Sequence, residues 1–286
     1  MTRVAIISDI HANKIALELI LEDIEKRSVD TIICLGDIVT KYFYPKEVVD
    51  LIRKNASVVV QGNCDELVAN DERYKFARGQ LGLERIEYLA SLPKMVQDNI
   101  NEVLVNYYHA TPDNIQAMFN PIFKGSNEHT NYKDKMVTDY NRMFVSDDPQ
   151  ASFYGHTHQD YIGVVQDKKL QVVGSKTIIT PQDRAIINVG SAGEHNILIP
   201  TEDKLKTLIN PYLTYAIVDD KGLEKGFNVE IIKVAYTEGL KKVYYDMVDK
   251  QNAKEAPDSP NDTRKVYESL VMAGEEVEEP SQIRIK

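Results

Sequence analysis

Short apolar runs, each ending in a polar or glycine-marked motif, alternate with amphipathic stretches along the first third of this chain. Val4 to Ile7 is a compact apolar run of the kind a strand buried on both faces requires. Ile15, Ala16, Leu19, Ile20 and Ile24 then recur at helical spacing within 13–27, and Asn13 is placed to cap that helix. Thr31 to Leu35 predicts a second strand. Pro45 can open a helix through Val48, Val49, Leu51 and Ile52, and Ser57 to Val60 predicts a third strand. Helices follow, Leu81 to Leu92 the clearest, and Val103 to Tyr108 reads as another strand.

The segment 114–150 is long and polar, with helical patches near Met136 to Phe144, and reads as an insertion or cap. Phe153 and Tyr154 form a short strand. Further strands are expected at Tyr161 to Val165, Leu170 to Val173, Ala185 to Val189, Tyr215 to Val218 and Val229 to Val234, as a second mixed or antiparallel sheet would need. Helices are expected at 241–250 and 264–272, with a polar, Pro-containing loop at 252–262 between them. The pattern predicts an α/β protein with one domain over 1–273, the insertion at 114–150 within it, and a solvated tail at 274–286.

Composition narrows the function classes. At 286 residues and 43% apolar content the chain can bury a sizeable core. Lys plus Arg is 34 against 44 for Asp plus Glu, a net charge of −10, which argues against extended nucleic acid or an anionic membrane as partner. One small anionic substrate in a locally cationic pocket stays compatible with it. Cys34 and Cys64 suggest no disulfide framework, Met1-Thr2-Arg3 runs straight into the first strand, and no apolar run approaches the ~18–20 residues of a membrane span. A protein of the reducing cytoplasm is expected, with its oligomeric state left open.

Candidate chemistry sits where strands end. Asp9-Ile10-His11, Gly36-Asp37, Gly62-Asn63, His109 and Gly155-His156-Thr157-His158 each follow an apolar run, and ligand sites of open α/β sheets form at the carboxyl ends of strands. Asp9 and His11 are two apart, so in an extended or turning segment they project the same way. His156 and His158 repeat that spacing. Asp37 has two carboxylate oxygens and can bridge two cations, while Asn63 offers an amide oxygen. Mixed oxygen and nitrogen donors suit Mn, Fe, Zn, Ni or Co, with manganese expected first. Two divalent ions would bring +4 against −2 from Asp9 and Asp37, leaving a centre that attracts phosphate in an acidic protein. Ions ~3.5–4 Å apart can activate a water and clamp the oxygens of an in-line displacement.

The ordered series resembles the calcineurin-like metallophosphoesterases, with their DxH, GD, GN(H/C)(D/E), H and GHxH motifs. It is similar in particular to the small prokaryotic phosphodiesterase-like branch, through SDIHAN, GDIV, GNCD, HATP, GHTH, INVGSAG and VAYTEGLKKV. The resemblance runs from Met1 to about Met272. It implies two packed mixed β-sheets flanked by helices, a four-layer α-β-β-α sandwich. It implies one metal held by Asp9, His11, Asp37 and His158 and a second by Asp37, Asn63, His109 and His156, with a bridging hydroxide as nucleophile. The expected activity is a metal-dependent phosphodiesterase acting on a small phosphorylated substrate. The alternatives are a phosphomonoesterase or protein phosphatase, a bis-nucleoside polyphosphate hydrolase, or a non-catalytic scaffold on the same fold.

One departure bears on mechanism. Many family members carry His after the Asn, as general acid for the leaving group; here Cys64 stands there, followed by Asp65. A thiol near its ordinary ~8.5 is a poor substitute for an imidazolium at neutral pH. Protonation then comes from water or another side chain, or the substrate has a good leaving group. His195, after Gly190-Ser191-Ala192-Gly193-Glu194, is a candidate substitute acid. Tyr42, Phe43 and Tyr44 are candidates for stacking on a base or aryl group, and Lys41 reads as surface or as a phosphate contact.

Overall fold

The chain is described by a computed structural model, which covers residues 2–119, 136–194, 196–200, 205–209 and 212–236. The expected helices at 241–250 and 264–272, the loop between them, the tail and His195 lie outside these residues. The first apolar runs become β1 (Arg3–Ile7), β2 (Thr31–Cys34) and β3 (Ala56–Val59), joined by α1 (Lys14–Lys26) and α2 (Pro45–Asn55). Asn13 caps α1, its side chain accepting from the Ala16 N–H at 3.1 Å. Next come α3 (Asn63–Asn70), α4 (Lys75–Ser91), β4 (Met95–Ile100) and β5 (Val103–Tyr108). Where helical patches were expected, β6 (Met118–Phe119) pairs with β7 (Met136–Val137), and a 3-10 turn spans Tyr140–Met143. The chain continues through β8 (Gln150–Tyr154), β9 (Tyr161–Gln166), β10 (Lys169–Val172), β11 (Lys176–Ile179) and β12 (Arg184–Asn188). A ribbon of β13 (Asn196–Pro200) and β14 (Leu205–Ile209) precedes β15 (Tyr212–Asp219) and β16 (Phe227–Ala235).

Two six-stranded mixed sheets result, as expected. The first runs β11-β16-β15-β1-β2-β3 and the second β10-β9-β12-β8-β5-β4. β1, β2 and β3 are parallel, which the helical crossovers α1 and α2 require. β8 is parallel to both β5 and β12. Side chains of β1 alternate between two cores. Val4 and Ile6 face the second sheet and meet Tyr107, Phe153 and Ile187, whereas Ala5 and Ile7 face the helices and meet Ile20, Val49 and Ile52. A strand apolar on both faces therefore shows as an unbroken apolar run. The outer face of the second sheet packs Tyr108, Tyr154 and Ile186 against Phe119, Val137 and Met143 from 114–150. Besides the short β6 and β7 and the β13–β14 ribbon, β4 and β11 also escaped the apolar pattern. β4 carries three consecutive exposed residues, and β11 has only Ile179 buried.

Candidate metal centre

The parallel strands deliver the candidate residues. Asp9 and His11 follow β1, Asp37 follows β2, Asn63 follows β3, His109 follows β5, and His156 and His158 follow β8. The loops are laced together by their backbones: Asp9 N donates to Gly36 O at 3.0 Å, and His11 N donates to Asp37 O at 2.9 Å. Close approach demands glycine at two crossings. A Cβ on Gly36 would lie 2.3 Å from Gly62 N, and one on Gly155 would lie 2.1 Å from Ser8 Oγ. Of the extended or turning segment expected, a turn is what makes Asp9 and His11 converge. Both are left-handed, with φ of 57° and 54°, as are Asp37 at 51°, His156 at 65° and His158 at 59°. Non-glycine residues in that region concentrate at sites where surrounding structure enforces them.

All seven residues come together. Asp9, His11 and His158 form one group, with His11 Nε2 3.2 Å from His158 Nε2 and Asp9 Oδ1 3.3 Å from the latter. Asp37, His109 and His156 form another, with His109 Nε2 3.2 Å from His156 Nδ1 and 3.0 Å from Asn63 Oδ1. Asp37 Oδ2 lies between them, 3.8 Å from His11 Nε2 and 3.4 Å from His109 Nε2. Each carboxylate spends its other oxygen on a backbone donor: Asp37 Oδ1 accepts from Cys64 N at 2.8 Å, and Asp9 Oδ2 from His156 N at 2.9 Å. His109 Nδ1 sits 2.9 Å from Leu35 O, where it can only donate, which turns Nε2 toward the cluster. Ring nitrogens and carboxylate oxygens converging at these distances, in a buried cluster of acceptors, are the donor set a divalent cation requires. The residues present therefore fit metal ions.

The electrostatics agree. Burial, followed by the Lys41 charge, pushes the His11 imidazole down to about 3, and burial followed by the His109 charge takes His156 to about 3. Both rings thus stay neutral, with lone pairs available. Burial also works against a charge on His109, but the Asp37 carboxylate outweighs it and raises that ring to about 9. Burial would likewise raise Asp9 and Asp37, yet His158 for the first and His109 for the second hold them below the usual carboxylate range. Cys64 lies within ligand reach of His11 and Asp37, but burial and then the Asp37 charge push its thiol well above its ordinary value. It stays a neutral S–H.

Two features escaped the sequence reading. Asp65 accepts from the N–H groups of Ile38 at 2.9 Å and Gly62 at 3.0 Å, fastening the Asp37 loop to the Asn63 loop. Burial and the nearby Asp37 raise its carboxyl to about 7. Its only signal was its place in the GNCD motif. Lys41 is ion-paired through Nζ to Glu194 Oε2 at 3.2 Å, a partner 153 positions away that no local pattern indicates. Tyr42 and Phe43, considered for stacking, are buried in the core against α1 and α2 instead. Tyr44 is half-buried.

Comparison with known proteins adds a lineage. The model for the calcineurin-like phosphoesterase superfamily domain matches residues 2–201. An uncharacterized protein of Methanocaldococcus jannaschii is 30% identical over 257 residues, 86% of this chain and 91% of that one. A metallophosphoesterase from Sphaerobacter thermophilus shares the fold with a TM-score of 0.62 at 24% identity, over 94% of this chain and 99% of that one. A hypothetical protein from Pyrococcus horikoshii does so with a TM-score of 0.60 at 18% identity, over 93% and 98%.

Proposed function

This chain belongs to the calcineurin-like phosphoesterase superfamily, whose members are divalent-metal-dependent phosphoester hydrolases, and on that premise we propose that it is a two-metal phosphodiesterase. The observation that carries the two-metal reading is the position of Asp37 Oδ2 between His11 and His109. In this reading Asp9, His11, Asp37 and His158 hold one ion, and Asp37, Asn63, His109 and His156 hold the other. Bound there, two ions would make a nucleophile of water near neutral pH and neutralise the phosphoryl oxygens, with manganese the first choice and Fe, Ni, Zn or Co able to serve.

The protein's own groups do the rest. The Leu35 carbonyl and the Cys64 N–H fix the orientations of His109 and Asp37, so the donor atoms need little reorganisation. Cys64, a neutral thiol, offers the leaving group little as an acid, which favours substrates whose leaving oxygen is already stable, such as aryl esters and nucleotide anhydrides. A small phosphorylated molecule is the substrate in this reading. His195 remains a candidate acid by its place in the chain alone.

Metal-stripped protein should regain hydrolysis of an aryl phosphodiester on addition of Mn²⁺, and Asp37→Asn should lower both turnover and bound metal. No rate above background with any of several divalent ions overturns the catalytic reading. One ion per chain at saturation overturns the two-metal reading.

A further inference from the structure

The ion pair between Lys41 and Glu194 lies beside the metal centre, and neither residue is among its proposed ligands. Glu194 is 2% exposed and the Lys41 side chain 31% exposed. The carboxylate is thus sealed in, while the ammonium keeps an open side. A lysine has three donors, and the pair uses one of them.

Both residues are held by the loop that carries Asp9 and His11. Tyr42 N donates to His11 O at 3.1 Å, and Thr40 Oγ1 lies 3.4 Å from His11 Nδ1, so Lys41 sits between two residues in contact with that metal-ligand candidate. Thr40 and Lys41 are themselves left-handed, with φ of 79° and 62°. On the other side, Ser191 Oγ donates to Asp9 O at 2.9 Å and accepts from Glu194 N at 2.8 Å. Asn13 Nδ2 donates to Gly193 O at 2.7 Å, and a Cβ on Gly193 would lie 2.0 Å from Ile10 O. Glu194 is therefore clamped against the Asp9–His11 turn, and Lys41 is aimed by it. The Lys41 charge reaches the centre, where it disfavours a proton on His11 and favours a thiolate at Cys64.

We propose that Lys41, oriented by Glu194, binds a non-bridging oxygen of the substrate phosphoryl group, and that this pair sets a preference for singly charged phosphodiesters over doubly charged monoesters. The pair brings no net charge. Lys41 offers one ion-pairing donor to one anionic oxygen, and a second negative charge on a monoester is repelled through space by the Glu194 carboxylate buried behind it. The inference rests on the metal-centred phosphoesterase reading and names the residues that would select its substrate class.

The test uses the full-length, Mn²⁺-loaded protein with an aryl diester, the corresponding aryl monoester and inorganic phosphate. Lys41→Met should raise KM for the diester and weaken phosphate binding in calorimetry by about tenfold or more, with bound metal unchanged. Lys41→Arg should restore part of that loss. Glu194→Gln should raise the monoester-to-diester ratio of kcat/KM by about fivefold and tighten phosphate binding. Lys41→Met leaves Glu194 buried without its cation, so the double variant Lys41→Met, Glu194→Gln removes that stress and should still bind phosphate poorly. Lys176→Met, at an exposed pair with Glu230, should change nothing. Unchanged phosphate affinity in the double variant, or an unchanged ester ratio in Glu194→Gln, overturns the proposal. If the wild type hydrolyses neither ester, the phosphodiesterase reading falls, and phosphate calorimetry alone decides whether Lys41 holds the anion.

Discussion

In the proposed reading, Cys64 is where a single atom decides which substrates suit the enzyme. Its backbone N–H orients the proposed ligand Asp37 by donating to it, while its thiol is held neutral by burial and by the same carboxylate. Cys64→His keeps the first role and adds an acid. Turnover of alkyl esters, whose leaving groups need a proton, should rise by about tenfold or more, with aryl esters changing little. Steady-state rates on a series of leaving groups measure this, and a flat response across the series removes the missing-acid account. The seven ligand candidates were legible because each is a metal-donor type placed at the end of an apolar run. The pairing of Lys41 with Glu194, and Asp65 as a staple, were not legible, although Lys41 alone stood among the readings as a phosphate contact. Their roles come from partners that only folding brings near, and a lone Lys or Asp in a loop carries no spacing to read.

At the scale of elements, turn chemistry and long-range pairs leave measurable marks. The hairpin between β9 and β10 turns on Asp167 and Lys168, with φ of 49° and 59°. Both central residues are left-handed in such a turn, where glycine is favoured at the second. Lys168→Gly should therefore stabilise the protein by about 0.5–1 kcal/mol, seen as a higher denaturant midpoint at unchanged slope. Helix α1 is tied to the first sheet through Asp23, which accepts from Tyr215 OH at 2.6 Å and from Arg27 Nε at 2.7 Å. Burial opposes the Asp23 charge, but the Arg27 and Tyr215 hydrogen bonds outweigh it and lower the carboxyl below its ordinary value. A depressed carboxyl contributes stability that is fully present above its unfolded value and is lost as pH falls through the folded one. Asp23→Asn should thus cost about 1 kcal/mol at pH 7, and that cost should shrink below about pH 4. Urea melts of both proteins across that range test the sign. Helix α1 and the buried parallel strands were readable because their periodicity is strong. Strand β4 was not, because its outer face is polar, and the 136–144 stretch took a strand and a tight turn because packing against the second sheet overrode its weak helical pattern.

Across the whole molecule, the proposed ligands come from the ends of both sheets, so bound metal fastens one sheet to the other. Saturating Mn²⁺ at about a thousand times its dissociation constant should add about 4 kcal/mol to stability, and chelation should remove it. A thermal midpoint unaffected by chelation would contradict a site spanning both sheets. That there are two packed sheets was legible from the family motifs, whereas sheet membership and strand order were not: β15 and β16, expected in a second sheet, join the first, where β1 lies between β2 and β15, a strand more than 200 residues away. That placement bears on how the protein is made. Synthesis runs at ~5–20 residues per second, so the segment from β1 to His158 is out for several seconds before β15 exists. Throughout that interval the first strand has an open edge, and the Ser191–Gly193 clamp on its Asp9 turn arrives only shortly before β15 does. Loading of the ion proposed for Asp9 is thus expected only once β15 and the clamp have been made: β1 is synthesised well before the strand that seats its second edge.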